Sequence, residues 1–201
     1  MPYTPLFAPD EFFASDEFSA QRPPSLAGAA IILIFTSVVA VASGVPYADQ
    51  FPSEFTPEGL VFVFLIAGLI GGAALWTVLT VPVYLLTAIV GGTGSIARTA
   101  ANIGWASLPL LLRHTILTLT IWVLTLTGDA PPIAMTQMQP PSPLFLFNLL
   151  TGVITYVWLG YLFTYAIRDA RNLDIRRSAG VAGIVIMIPL LNTALSLFGV
   201  F

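Results

Sequence analysis

Residues 59–90 run for 32 positions without one charged side chain. As a helix they extend roughly 48 Å, against about 30 Å for the hydrocarbon core of a bilayer. Only a membrane makes such a run ordinary, and its excess length must be absorbed by tilt, by protrusion, or by a break. Gly71-Gly72 and Pro82 are the places where a break is expected, with Pro82 the stronger, because a proline inside a helix removes an N–H and crowds the preceding turn.

The same reading recurs along the chain. Residues 26–45 are 20 uncharged positions, enough for one crossing. Further spans are expected near 106–127, 144–167 and 179–200. The fold class is therefore all-α: a polytopic helical bundle with five transmembrane helices over 25–201, preceded by a segment, 1–24, that does not cross. Composition agrees, with 57% hydrophobic and 8% charged residues and a mean hydropathy of +0.90, too little polar surface to clothe a soluble domain of 201 residues. Ala40-Val41-Ala42 has the form of a signal-cleavage site, but the 24 residues ahead of the apolar run are net acidic, the opposite of a signal's basic start.

In segment 1–24, Pro9 and Asp10 are suited to begin a short helix reaching Ser19, with Phe12, Phe13 and Phe18 giving it an apolar side. Its acidity favours packing on protein over binding to anionic lipid. Between the second and third spans, Gly91, Gly92 and Gly94 permit positive φ and close backbone approach, Ser95 can cap a following helix, and Pro109 interrupts that helix. We read 91–104 as a hinge outside the spans.

All seven basic residues are arginine. Five spans place 1–24, 91–104 and 168–178 on one side with Arg22, Arg98, Arg168, Arg171, Arg176 and Arg177. The loops at 46–58 and 128–143, on the other side, hold no basic residue. The positive-inside bias then puts the N-terminus in the cytoplasm and the C-terminus outside. Around 168–178 the spacings Arg171/Asp174 and Asp174/Arg177 suggest that the fourth helix continues into water with mutual ion pairs. Pro109-Leu110-Leu111 recurs as Pro189-Leu190-Leu191, the trace of a parallel hairpin repeat.

The chain carries few chemically reactive patterns. There is no cysteine and one histidine, so no metal site and no thiol nucleophile are expected, and nothing implies a cofactor. The glycine hinge lacks the lysine and preceding strand of a phosphate loop. His114 and Asp129 are some 15 residues apart on one helix, roughly 22 Å, so no triad forms and no catalytic residue is assigned. No basic stripe would serve a nucleic acid. The polar side chains best placed for intramembrane contacts are Arg113, for which snorkelling to the headgroups is the plain expectation, together with Asn148 and Asn192. Pro189 and Asn192 should both face protein.

Several of these features together resemble a known family. Pro9-Asp10-Glu11-Phe12-Phe13 ahead of five spans, the Gly-Gly-x-Gly-Ser hinge running into Gly104-Trp105-Ala106-Ser107-Leu108-Pro109, and an aromatic fourth span closing at Arg168 look like the Yip family of Ypt/Rab-interacting membrane proteins, in its prokaryotic branch. The resemblance implies a non-enzymatic multi-pass protein of the cell membrane, acting in membrane organisation or as a scaffold. Its partners would be the lipid bilayer, other membrane proteins or further copies of itself. The long acidic region tied to partner binding in eukaryotic members is reduced here to 24 residues, which weakens the case for GTPase binding. The alternative is a small transporter or channel subunit in which Arg113, Asn148 and Asn192 line a polar path.

Overall fold

The computed structural model describes residues 4–14, 24–50, 56–129 and 142–196. Within them lie seven α-helices: α1 (Pro9–Phe13), α2 (Leu26–Ala42), α3 (Pro57–Ile89), α4 (Ile96–Ala106), α5 (Leu108–Thr127), α6 (Pro143–Arg171) and α7 (Ile175–Ser196), with a 3-10 segment over Val45–Gln50. No strand occurs among the described residues. Four helical stretches, Glu58–Ile89, Ile96–Thr127, Pro143–Arg171 and Ile175–Ser196, are long and apolar enough to cross a membrane. The fifth, α2, has 17 residues. At about 25 Å it sits at the short end of what can span.

The helix starts follow from local chemistry. Ser25, Thr56, Ser95 and Ser142 each hold extended backbone, and each side-chain oxygen accepts the N–H three residues on, at 3.1 to 3.2 Å. These bonds satisfy donors that a helix start leaves free. Pro57 and Pro143 follow two of these caps, where a missing N–H costs nothing.

Where the long apolar run was expected to break, it does not. α3 is one 33-residue helix through both Gly71-Gly72 and Pro82. Its glycines serve contact instead. A Cβ on Gly68 would lie 2.8 Å from Val38 Cα, and one on Gly72 would lie 2.7 Å from Ile34 Cα, so α2 and α3 meet backbone to backbone along a four-residue repeat. In a bilayer, where apolar burial from water gives no drive, such close approach supplies the van der Waals contact that holds helices together.

The break falls in the third span. Pro109 cannot donate a helical hydrogen bond, and the chain turns at Ser107 (φ −83°, ψ 1°) between α4 and α5. The expected hinge over 91–104 is thus much shorter. Residues 96–104 are helical, and Thr99, Ala101, Asn102, Ile103 and Gly104 are buried, so α4 is part of the bundle. Pro189 has a different setting, inside α7, so the two Pro-Leu-Leu triplets are not structurally equivalent.

The N-terminal helix is also shorter than expected. α1 stops at Phe13 because Ala14 turns to extended backbone, and Ser19 and Phe18 lie outside the described residues. Its packing on protein is definite. Phe13 is fully buried in the main core with Val83, Ile103, Leu159, Leu162 and Phe163. Phe12 packs on Trp105 with ring centroids 5.4 Å apart, and Trp105 Nε1 donates to Ser25 O at 3.0 Å. Trp158 Nε1 donates to Leu6 O at 3.3 Å. Segment 4–14 therefore fills the space beside α4 and α6 near the start of the short α2. Most of the remaining surface is aliphatic, with Phe62, Ile70, Val78, Leu119, Val157 and Ile188 each more than half exposed, as lipid-facing positions should be.

Candidate functional site

Polar chemistry gathers at two ends of the bundle. At one, the turn joining α3 to α4 meets the turn joining α6 to α7. Gly91 (φ 88°) and Gly94 (φ 131°) hold backbone conformations that L side chains rarely adopt. Against this turn lies Arg171, the last residue of α6, only 2% exposed. Its Nε donates to Thr87 Oγ1 at 2.9 Å, its Nη2 to Gly92 O at 3.0 Å, and its Nη1 to Gly94 O. Its guanidinium also lies over the Tyr84 ring, 4.3 Å from the centroid. Thr93 N donates back to Arg171 O at 2.8 Å, and Asn172 Nδ2 to Thr93 Oγ1 at 3.2 Å.

This corrects the expectation for the arginine cluster. Arg171 makes no ion pair with Asp174, and the fourth helix does not run on into water. Asn172 takes the left-handed conformation (φ 50°) and ends it, after which Asp174 starts α7. The Asp174–Arg177 pair does form, at 3.2 Å on the exposed surface. Asp174 Oδ1 also accepts the N–H groups of Arg176 and Arg177, both at 3.0 Å. Those backbone bonds, the one from Arg177 N first, hold the Asp174 carboxyl below its ordinary 3.8. A depressed carboxylate pKa stabilises the fold above the unfolded value, and that contribution is lost as pH falls through the folded one. We expect Asp174→Ala to lower the melting temperature at neutral pH and to make no difference once the pH is well below 3.8, as pH-dependent melts of both proteins would report.

A second contact ties α4 to α6 one turn deeper. Asp169 accepts from Arg98 Nη2 at 2.9 Å and from Asn102 Nδ2 at 3.1 Å, and the same Nδ2 lies 3.2 Å from Ala166 O. Asn102 is fully buried. Nothing in the sequence beyond a lone asparagine in α4 signalled this group. Arg171 was visible as an arginine, but its burial follows from the stop at Asn172.

At the opposite end, Arg113 reaches across to the neighbouring helix α6. Its Nη2 donates to Asn148 Oδ1 at 2.6 Å, its guanidinium lies against Gly152, and Tyr156 stands 5.9 Å away. Asn148 lines a cavity of about 310 Å³ with His114, Thr118, Tyr47 and Ser43. Asn192 is not part of this group. It is exposed, one turn past Ile188 on the outward stripe that also carries Ile184 and Leu195, and the expectation that it faces protein fails on that helical register. Pro189 is half-buried. No cluster of three or more metal-ligating side chains occurs among the described residues.

The sequence model of the Yip1 domain matches residues 4–196, nearly the whole chain. The chain belongs to the Yip1 family. No curated protein and no solved structure matches it. The matched span begins within the segment that carries Phe12 and Phe13 and ends with α7, so the Yip1 domain here includes the N-terminal segment docked on the core as well as the apolar helices. As a Yip1-family chain with several helices able to cross a bilayer, it is a membrane protein. The hinge glycines and Arg171 are then features internal to one domain.

Proposed function

We propose that this Yip1-family protein is a non-enzymatic structural component of the cell membrane, which organises the bilayer or assembles with protein partners in it, its hinge end facing the cytoplasm. The observation that carries this reading is how the hinge-end polar groups are used. The donors of Arg171 go to Thr87, Gly92 and Gly94, and Asp169 accepts from Arg98 and Asn102, so these groups join helices of the bundle to one another. Basic side chains at that end, Arg168, Arg176 and Arg177 among them, support the cytoplasmic assignment. The aliphatic outer surface suits contact with lipid or with neighbouring helices.

A transporter reading draws on the Arg113–Asn148 bond beside a polar cavity, but the third member of its path, Asn192, lies on the outer stripe. Two measurements separate the readings. Photo-crosslinkers placed at the exposed positions Val157 and Ile188 in native membranes should capture discrete protein adducts or a dimer. Purified protein in liposomes should give no substrate-dependent flux across a panel of small ions and metabolites. Reproducible flux abolished by Asn148→Leu would replace the structural reading with the transporter one.

A further inference from the structure

The cavity at the end opposite the hinge has walls from the end of α2 and the turn after it (Ala40, Ser43, Gly44), from Tyr47, from α5 (His114, Thr118) and from the first turns of α6 (Leu144, Asn148). Its polar groups are unequally spent. Ser43 and Thr118 donate their hydroxyl hydrogens to Ala40 O and Val39 O. The Asn148 carboxamide is oriented by Arg113, because a guanidinium only donates and so must face the oxygen. That leaves the Asn148 NH₂ turned away from Arg113 without a protein acceptor among the described residues. His114, on the cavity wall, makes no hydrogen bond to a described residue. The Tyr47 hydroxyl is buried without a partner among the described residues, with Tyr47 only 6% exposed, and so is Nε of Arg113, which lies outside the cavity lining.

The unspent groups thus share a chemistry: amide, imidazole and phenol hydrogens, with a guanidinium behind them. Arg113 has no carboxylate partner, since the ion pairs among the described residues are Arg98–Asp169 and Arg177–Asp174. A cation within a span, with no acid beside it among the described residues, is a costly arrangement unless a negative group completes it. About 310 Å³ is room for a phosphate group and the atoms next to it.

We propose that this cavity is an oxyanion site that takes a phosphate group, with Asn148 and His114 donating to its oxygens, Tyr47 closing it, and Arg113 supplying the charge and orienting Asn148. Asn148 is exposed at the cavity's edge, so the phosphate has access from outside the bundle, carried on a phospholipid or free.

The test is thermal stabilisation of the delipidated protein in neutral detergent by three probes: phosphatidylglycerol, diacylglycerol with the same acyl chains, and inorganic phosphate. Phosphatidylglycerol should raise the melting temperature in a saturable way and diacylglycerol should not. His114→Phe and Asn148→Leu should each weaken the half-saturating concentration about tenfold, the loss of one hydrogen bond to a charged group. His114→Gln, which keeps a donor, should retain most of the effect, and serves if the larger changes do not fold. Saturable stabilisation by inorganic phosphate, lost in the same variants, would assign the site to a soluble anion. Equal stabilisation by diacylglycerol and phosphatidylglycerol, no saturable response to any probe, or responses unchanged in the variants would overturn the proposal.

Discussion

Arg171→Met will destabilise the folded protein more than any other single change to a charged residue. The side chain makes three charge-assisted hydrogen bonds, each worth about 1.5–3 kcal/mol net, to groups on the α3 end and the hinge. Their sum overstates the loss, because removing a buried cation also removes its desolvation cost, and we expect a net loss of roughly 3–5 kcal/mol. Methionine fills part of the volume but leaves the Gly92 and Gly94 carbonyls without their donor, and Thr93 then holds the hinge to α6 alone. Arg171→Lys should fall between, since a point charge on a flexible stem cannot reach three acceptors fixed around a planar fork. Arg177→Ala is the control. Its pair with Asp174 and its 3.1 Å bond to Val90 O both lie on the exposed surface, so less than about 1 kcal/mol is expected. Melting of the purified proteins in one detergent, followed by loss of helical circular dichroism, ranks them. An Arg171→Met protein that melts with Arg177→Ala would refute the clamp.

The contrast between these arginines shows what was legible in the sequence and what was not. The apolar runs made the all-helical class and its long apolar helices legible, because the bilayer imposes length and lack of charge residue by residue. Ser95 could be read as a cap for the same local reason, and Ser25, Thr56 and Ser142 cap the other helix starts by the same bond. Burial at the ends was not legible. Arg171 and Arg177 sit in one charge-rich stretch of ten residues, and sequence spacing treats both as partners of Asp174. What separates them is Asn172, whose left-handed turn ends α6 and leaves Arg171 buried in the corner, while Arg177 lies in the first turn of α7 on the exposed surface. The glycines of α3 were misread similarly. A break and a close helix contact use the same residue, and only the position of α2 tells them apart. Arg113 could be seen as an arginine in apolar sequence, but its partner, 35 positions away, depends on how α5 and α6 cross.

The second large effect concerns Gly94, and it differs from its neighbours in a way that tests the same corner independently. Gly91, Gly94 and Gly128 all have positive φ, so alanine at any of them carries backbone strain of about 1–3 kcal/mol. At Gly128 a Cβ would meet nothing within 4 Å, and at Gly91 only the far end of Arg177, at 3.7 Å. Both substitutions should cost the strain alone. At Gly94 the Cβ would run into the backbone carbonyl of Ala170, which belongs to α6 and cannot rotate away. Gly94→Ala therefore has to push the hinge off α6, stretching the Thr93–Arg171 backbone bond and the Arg171–Gly94 contact together. We expect it to lower the yield of folded protein and to cost several kcal/mol, on the scale of Arg171→Met rather than of Gly91→Ala. Because both changes break one network, Gly94→Ala combined with Arg171→Met should cost clearly less than the two losses added, whereas Gly128→Ala combined with Arg171→Met should be additive. Additivity in the first pair would mean that the glycine and the arginine stabilise the protein separately, and that the hinge is held by something other than this corner.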